Sequence, residues 1–432
     1  MATTHALTQR SSPRTNQPQF ADLPQPVADE QRIVSIDVLR GLALLGILPM
    51  NIQYFSMIRA AYWTPTAYGN LTGANYWVWL FSHVLADEKF MTIFSMLFGA
   101  GVLLMTSRIE AAGKPSAVLH YRRMGWLILF GLAHAYLLWS GDILVTYGLC
   151  GLLIYPCRKL RPRTLLILGL LTIAVAPALL TAYGAWSRHW SPAEVQLARE
   201  QLWMPTTSQA ASEIRAYRGN WAGEMTFRAH DSVQMETIFF VTFTFWRVTG
   251  LMLAGMALLK LGVFGAKRPA SFYWKMIAVG FCIGIPITLY GTHRDFVTGW
   301  DFRHGFFYGA QFNYWASLLV SLGWVGAIML ASRAVVLIPL TRRLAAVGRT
   351  AFTNYIMHTM ICTTIFYGHG FGLFGKVERI GQFAIVLAVW TLQLVISPIW
   401  LKHFLFGPLE WLWRSLTYLQ WEPLRRSPAL NR

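Results

Sequence analysis

The strongest constraint on this chain is the recurrence of apolar stretches long enough to cross a bilayer, along nearly all of its 432 residues. A spanning helix needs about 20 largely apolar residues. We count about ten such stretches, the first at 39–58 and the last at 383–405. Lipid offers the backbone no hydrogen-bond partners, so each stretch must be a helix. The sequence therefore predicts an all-α, polytopic integral membrane bundle of about ten transmembrane helices.

The predicted spans cover residues 39–58, 90–106, 122–140, 142–158, 164–184, 237–261, 276–290, 313–332, 351–368 and 383–405. Residues 74–85 are rich in aromatic side chains and precede three charged residues. This pattern is typical of an interfacial or re-entrant helix rather than a full span. An even number of spans returns the C-terminus to the side on which the chain began.

The segments around these spans predict the organisation of the chain. Residues 1–32 are polar and rich in Pro and Gln, which is typical of a disordered tail. Residues 33–185 and 237–414 form two membrane regions, separated by the polar segment 186–236 and followed by a C-terminal tail at 415–432. We expect 186–236 to contain short amphipathic helices and to cap an outward-facing site.

The net charge of +18 is explained by membrane topology better than by nucleic-acid binding, which we do not expect. If the N-terminus is cytoplasmic, the basic pairs Arg122-Arg123, Arg158-Lys159, Lys267-Arg268, Arg342-Arg343 and Arg425-Arg426 all lie on the cytoplasmic side. Lysine and arginine are enriched in cytoplasmic loops. Both termini are therefore predicted to be cytoplasmic.

The four cysteines fall within or beside apolar stretches, and their spacing matches no zinc motif. We predict neither a disulfide nor a metal site. The sequence also contains no phosphate-binding glycine loop, no dinucleotide fingerprint and no nucleophile elbow. The Gly99-Ala100-Gly101 run is typical of close helix packing.

Arg247 is the clearest charge at membrane depth. It lies about ten residues into the predicted 237–261 helix, so a rise of 1.5 Å per residue places it roughly 15 Å deep. An ionisable side chain there is costly and is a functional candidate by default. A structural arginine, paired with a carboxylate or with helix carbonyls, is an equally good interpretation.

His134 and Asp142 flank the short Ser140-Gly141 turn between two predicted helices. A histidine whose tautomer is fixed by a carboxylate can remove a proton from a hydroxyl or amine. Two structural interpretations compete with this one. Asp142 has the form of a helix N-cap, and a lone histidine often bonds a neighbouring helix.

His83 and Asp87 form a second candidate pair, four residues apart, with Glu88 and Lys89 following directly. On a helix, residues four apart share a face, so Asp87 would orient His83 as a base. We place this group on the outer side of the membrane. An exposed interfacial charge cluster is the competing structural interpretation.

Two further polar groups have mainly structural interpretations. Asp37 and Arg40 are three residues apart at the start of the first helix, a spacing that favours an ion pair. Asn354 and His358 share one face of the ninth helix, with Tyr355 beside them, and are predicted to hydrogen-bond neighbouring helices.

Several motifs in order resemble the YeiB-like family of bacterial inner-membrane proteins, also known as domain of unknown function 418. They include Ile36-Asp37-x-x-Arg40-Gly41, Lys89-Phe90-x-x-x-Phe94-Ser95, Gly131-Leu132-x-His134, Gly141-Asp142-Ile143-Leu144, Gly348-Arg349-x-Ala351-x-Thr353-Asn354-Tyr355 and Gly407-Pro408-x-Glu410-Trp411-x-Trp413-Arg414. The resemblance covers nearly everything after residue 30. The chain departs from it at His358-Thr359, where Gln-Ser is expected, so His358 is given no role in shared chemistry.

The family is similar, in its Asp-x-x-Arg-Gly opening, to transmembrane acyltransferases such as heparan-glucosaminide N-acetyltransferase and the acyltransferase-three proteins. The resemblance implies that 33–185 is acyltransferase-like, that 237–414 is the YeiB-like region and that acyl-CoA is the donor. Arginines bind phosphate well. We expect the donor to be bound by Arg40, Arg122, Arg123, Arg247, Arg349 and Arg414.

The leading hypothesis is a multi-pass inner-membrane acyltransferase that moves an acyl group from cytoplasmic acyl-CoA to an extracytoplasmic acceptor, such as a glycan. His134 with Asp142, or His83 with Asp87, would supply the base. The alternative is a transporter of a small anion or of a lipid or envelope precursor, with Arg247 as the counter-charge. The sequence leaves open the acyl group, the acceptor and a homo-oligomer.

Overall fold

The computed structural model describes residues 32–426. Within that range the backbone forms helices, turns and an isolated antiparallel bridge between Phe404 and Arg425, with no strand. The predicted all-α class is confirmed. The predicted tail at 1–32, apart from Arg32, and residues 427–432 lie outside the described residues.

The first half of the chain forms five long helices and two shorter ones, α2 and α6. Their bounds are α1 Val34–Ser56, α2 Ala60–Trp63, α3 Gly73–Leu85, α4 Lys89–Ala111, α5 Ala117–Leu137, α6 Leu144–Ile154 and α7 Pro162–Trp186.

Three short helices follow, as expected for the segment 186–236: α8 Pro192–Leu202, α9 Thr207–Tyr217 and α10 Trp221–Gln234. Ser191 and Thr206 begin α8 and α9 with complete capping boxes. A π-helical stretch, Met235–Thr244, then joins α10 to α11, Phe245–Lys260.

The last third of the chain returns to long helices and ends in a short one. The bounds are α12 Ala270–Val297, α13 Phe302–His304, α14 Ala310–Ala331, α15 Ile338–Arg349, α16 Ala351–Phe366, α17 Arg379–His403 and α18 Pro408–Tyr418.

Seven helical segments in the described range are long and apolar enough to cross a membrane, and this is therefore a membrane protein. They are Val34–Ser56, Gly73–Ala111, Pro162–His189, Trp221–Lys260, Ala270–Val297, Phe302–Ala331 and Arg379–His403. The other three predicted spans fall on α5, α6 and α16, which are helical but fall short in length or hydropathy.

The ends of the bundle can be named from α1: it begins at the near end and finishes at the far end. Ser35 Oγ donates to the Phe264 carbonyl at 2.7 Å, and Lys260 Nζ donates to the Arg158 carbonyl at 2.7 Å. The start of α1, the α6–α7 turn and the α11–α12 turn therefore meet at the near end. The basic pairs Arg158-Lys159 and Lys267-Arg268 lie there together.

The separate interfacial or re-entrant helix predicted at 74–85 is corrected by the structure. α3 and α4 together form one span of 39 residues, broken at Ala86–Glu88. The break lies near the middle of the bundle, because Phe90, in the first turn of α4, packs its ring on Gly46, halfway along α1. Glu88 adopts a left-handed backbone conformation there, with φ of 61°.

Close helix packing, predicted for the Gly99-Ala100-Gly101 run, is confirmed at Gly99. A Cβ added to Gly99 would lie 2.0 Å from the carbonyl oxygen of Met252, and one added to Gly255 would lie 1.8 Å from that of Met96. α4 and α11 therefore touch backbone to backbone. Gly101 has nothing within 4 Å of the equivalent position.

Gly99→Ala is expected to lower the free energy of unfolding by about 1–3 kcal/mol, because the new methyl group must push α4 and α11 apart. Gly101→Ala is the matched control on the same helix and should change it by no more than about 0.5 kcal/mol. Denaturant unfolding of the detergent-purified variants measures both. Equal stability of the two variants would contradict the contact.

Candidate active site

The His134–Asp142 pair forms at the turn between α5 and α6. His134 lies in the last turn of α5, and its Nδ1 is 2.8 Å from Asp142 Oδ1. Asp142 Oδ2 accepts the backbone N–H of Val145 at 2.8 Å, in the first turn of α6. The N-cap position of α6 is Ile143, one residue later than predicted, but the Asp142 side chain still bonds both the first turn of α6 and His134. The structural and functional interpretations therefore describe one arrangement.

The second ring nitrogen of His134 meets a hydroxyl group. Nε2 is 2.9 Å from Thr359 Oγ1 on α16. With Nδ1–H donated to the carboxylate, Nε2 carries the lone pair, and the Thr359 hydroxyl donates to it. His134 is 2% exposed and Thr359 0%. We call Asp142, His134 and Thr359 the His134 network.

The end of α5 is covered by α10, from the segment expected to cap the site. Backbone carbonyls in the last turn of a helix lack partners within the helix. Here α10 supplies them: Ser232 donates to Ala135, Arg228 to Tyr136 and Trp221 to Leu137, at 2.9–3.0 Å. α10 therefore closes the far side of the His134 network.

Arg59, just after α1, holds α9 and α10 in place over the end of α5. Its Nη1 lies 2.8 Å from Asp231 Oδ1 and donates to Gln234 Oε1 at 2.8 Å, both on α10. Its backbone N–H donates to Glu213 Oε1 on α9 at 2.8 Å. Burial raises the pKa of Glu213 to about 7. The cover is thus held by an ionisable group that titrates near neutrality.

His83 and Asp87 also form the predicted pair, with Nδ1 2.9 Å from Oδ2. Asn313 Nδ2 donates to the same carboxylate oxygen at 2.9 Å. Lys89 Nζ donates to the His83 carbonyl at 2.7 Å and to Asn313 Oδ1. The pair lies at the break between α3 and α4. Its predicted place on the outer side is therefore corrected to the middle of the bundle.

Arg247 joins this group and is fully buried. Its Nη2 is 3.4 Å from Glu88 Oε2 and donates to Ser317 Oγ at 2.6 Å and Thr92 Oγ1 at 3.1 Å. Its Nη1 donates to the Tyr314 carbonyl at 3.2 Å. The structure thus gives Arg247 the carboxylate and carbonyl partners of the structural interpretation. We call the residues at the break the Glu88 network: His83, Asp87, Glu88, Lys89, Arg247 and Asn313.

Arginines collect at the near end, as expected. Arg40 Nη1 is 3.1 Å from Asp37 Oδ1, which confirms the predicted ion pair. The Arg123 guanidinium lies 3.7 Å from the ring centre of Trp413, and Arg40 and Arg414 are close enough to repel its charge. We call Arg40, Arg123 and Arg414 the arginine cluster.

Two other predicted arginines lie beside the cluster. Arg122 shares a turn of α5 with Arg123, and Arg349 ends α15 next to Gly348, which packs on the Asp37 carbonyl. An open hollow of about 480 Å³ lies at the same end, lined in part by Ser116, Tyr155 and Arg158.

α16 links the two ends of the site. Glu410 accepts the N–H groups of Phe352 and Thr353 at its start, and burial raises the pKa of this carboxyl. Asn354 Nδ2 donates to Ser397 Oγ at 3.0 Å, and His358 Nε2 lies 2.9 Å from Gln393 Oε1. The prediction of hydrogen bonds between helices is confirmed for both residues.

Comparison with known proteins gives the family. The family model described as protein of unknown function (DUF418) matches residues 258–420. Escherichia coli (strain K12) "Uncharacterized protein YeiB" is 31% identical over 90% of this chain and 96% of its own. Bacillus subtilis (strain 168) "Uncharacterized protein YxaH" is 32% identical over 93% and 98%. The chain belongs to the YeiB-like DUF418 family.

The DUF418 match contains only part of the site. It covers α12 to α18, and so includes Thr359, Glu410 and Arg414, but it begins after Arg247 and His134. The two relatives extend over both halves. The His134 network therefore joins the DUF418 region to the preceding half of the chain.

Some residues of these networks were not predicted from the sequence. Thr359, Asn313 and Ser317 are neutral residues in apolar helices, and nothing in their spacing distinguishes them from ordinary packing. Arg59 lies in a short connection whose partners are more than 150 residues away. Glu88 belongs to the charged group predicted with His83, Asp87 and Lys89, but its contact with Arg247 was not predicted.

Arg247→Met is expected to lower the free energy of unfolding by about 3 kcal/mol, because it leaves Glu88 without its buried partner. The double variant Arg247→Met/Glu88→Gln should be more stable than Arg247→Met alone. Thermal unfolding of both variants and of Glu88→Gln completes a double-mutant cycle. Strictly additive effects would show that the two residues do not interact.

Glu213 is expected to make stability depend on pH. Its pKa rises from 4.5 to about 7 on folding, so the folded chain holds this proton more tightly. The free energy of unfolding should therefore fall as pH rises from about 4.5 to about 7 and then level off. Glu213→Gln should remove this part of the slope, whereas Glu200→Gln on α8 should leave it. Melting temperatures from pH 5 to 8 measure it, and identical slopes would refute the assignment.

Proposed function

We propose that this protein is an acyltransferase of the bacterial inner membrane, moving an acyl group from cytoplasmic acyl-CoA to an extracytoplasmic acceptor such as a glycan. The observation that supports this proposal most directly is that a phosphate-binding arginine and a candidate base lie on one helix. Arg123 and His134 are eleven residues apart on α5, about 16 Å. A phosphate-binding end and a proton-accepting end are thus held at fixed separation.

The orientation follows from the charge distribution. We infer that the near end is cytoplasmic, since the basic pairs gather there and lysine and arginine favour cytoplasmic loops. With α5, α6 and α16 also crossing, the chain makes ten passes and both termini are cytoplasmic.

The arginine cluster suits the phosphates of the donor. Guanidinium groups bind phosphate oxygens in pairs, and they keep their charge when partly buried. Arg123, stacked on Trp413, has its plane fixed in advance. The open hollow at the same end, lined in part by Lys114, Arg158 and Lys159, offers room and positive charge for the nucleotide part. The acyl end of the donor would extend from here between α5 and α16.

The His134 network suits the proton transfer. Asp142 holds the imidazole so that Nε2 presents its lone pair, which is the form needed for a general base. Both side chains are almost completely buried, so charge developing at the site is poorly screened. His83 lacks this enclosure, being 20% exposed at its side chain. We therefore assign the base to His134.

The acceptor would enter from the far end. α10 covers that side through side-chain hydrogen bonds to α5, and Arg59 fastens it. Displacing α10 would break these hydrogen bonds and bend the chain at the π-helical stretch that joins α10 to α11. The carboxyl of Glu213 would make this opening easier as pH rises through about 7.

The test is acyl-CoA binding and turnover by the detergent-purified full chain. Acetyl-CoA or palmitoyl-CoA should raise the melting temperature, and Arg123→Ala and Arg40→Ala should abolish the rise. Lys267→Ala, also at the near end, is the matched control and should retain it. His134→Ala should keep binding but slow the release of CoA thiol by about 10²–10⁴-fold. Failure of both donors to stabilise the protein would refute the proposal.

One observation favours transport as the second candidate. A span broken at mid-depth beside buried charges is the form of substrate and ion sites in transporters. The Glu88 network has this form, with Arg247 as counter-charge. Uptake of a labelled anion into proteoliposomes, lost in Arg247→Met and without any acylated product, would select this function.

A further inference from the structure

We propose that Thr359 carries the acyl group during transfer, as an ester on its hydroxyl. The inference rests on the proposed function and names the carrier within the same site. It means that transfer takes place in two chemical steps, with the group held by the protein between them.

The first observation is the direction of the Thr359 hydroxyl. Threonines in helices commonly donate to the carbonyl four residues earlier, as Thr172, Thr288 and Thr391 do here. Thr359 instead donates across to His134 Nε2 at 2.9 Å, while His134 Nδ1 donates to Asp142. Hydroxyl, imidazole and carboxylate in this order are the arrangement that activates a hydroxyl as a nucleophile.

The second observation is a buried hydrogen-bond donor, the indole N–H of Trp139, beside the His134 network. Trp139 is 3% exposed, and its indole N–H has no hydrogen-bond partner among the described residues. Its ring lies 6.1 Å from the His134 ring and is held by stacking on Phe55 at 4.0 Å. A buried donor without an acceptor is costly. A carbonyl oxygen that becomes negative during acyl transfer would provide the acceptor.

In the first step, Thr359 Oγ1 attacks the thioester carbonyl carbon. The C–O bond forms and the C–S bond breaks, and the hydroxyl proton passes to His134 Nε2. The departing sulfur takes this proton, so the products are CoA thiol and acyl-Thr359.

In the second step, the acceptor hydroxyl gives its proton to His134 Nε2 and attacks the ester carbonyl. The new C–O bond forms, and the bond to Thr359 Oγ1 breaks. The proton then returns from Nε2 to Thr359. Neither step needs an oxidant or reductant, and the protein ends unchanged.

The position of Thr359 explains why a carrier is useful. It lies halfway along α16, whose beginning is at the arginine cluster and whose end is near α9, through the Gly368–Tyr217 hydrogen bond. A donor bound at the near end and an acceptor admitted at the far end need not be present together. Complete burial of Thr359 also protects the ester from hydrolysis.

The experiment uses the full detergent-purified chain with acetyl-CoA labelled in its acetyl group. The wild type should retain label that withstands denaturation, is released by hydroxylamine and maps to the peptide containing Thr359. Thr359→Val should retain none, and Thr359→Ser should retain it, because the serine hydroxyl can take the same place. Thr363→Val, one turn further on α16 and also buried, is the control for folding and should label normally.

Trp139→Phe tests the second observation independently. It keeps the stacking on Phe55 and removes the donor. Labelling should slow about 10²–10³-fold, with acetyl-CoA binding unchanged.

Two results would overturn the inference, and only the second would also refute the acyltransferase function. If acetyl-CoA stabilises the chain and CoA is released at equal rates by the wild type and Thr359→Val, direct transfer stands and Thr359 is not the carrier. If acetyl-CoA neither binds nor releases CoA, the proposed acyltransferase function is refuted together with the carrier role of Thr359.

Discussion

The partnering of polar groups away from water governs the arrangement of this protein. Inside a bilayer, a backbone or side-chain polar group that finds no partner within the protein costs several kcal/mol. The buried ionisable residues accordingly form hydrogen-bonded networks that join neighbouring helices. Arg247 is the extreme case, since its guanidinium joins α11 to α4 and α14 and to the acid at the α3–α4 break. The partners that Arg247 requires therefore fix how these three helices and the break meet.

The two networks meet this requirement differently. In the Glu88 network, cations and acids offset one another, and each charge has several partners. In the His134 network the only acid is Asp142, and the terminal member is a neutral hydroxyl. A compensated cluster resists change in charge, whereas a histidine between an acid and a hydroxyl is suited to passing a proton. This difference in composition separates a supporting role for the first network from a chemical role for the second.

Hydropathy predicted most of the fold, because every predicted span falls on a helix in the structure. Spacing along one helix or across one short turn predicted the pairs Asp37–Arg40, His83–Asp87 and His134–Asp142. It failed for partners on different helices: Thr359 is 225 residues from His134, and Arg247 is 159 residues from Glu88. The predicted position of residues 74–85 was also wrong. Each half of a broken helix, judged alone, has the length of a separate short helix.

The break at Glu88 divides one span between two sets of neighbours. Both halves contact α1, but α3 packs mainly against α12 and α17, whereas α4 packs against α11 and α14. Backbone hydrogen bonds continue through the break: Ala86 and Asp87 both donate to the Ser82 carbonyl, and Lys89 donates to that of Ala86. The two halves of the span are therefore joined by a hydrogen-bonded turn. Lys89 adds a side-chain link at the same place, because its Nζ donates to the His83 carbonyl and to Asn313. A single span can thus contact two sets of helices, with its change of direction fixed by main-chain and side-chain hydrogen bonds.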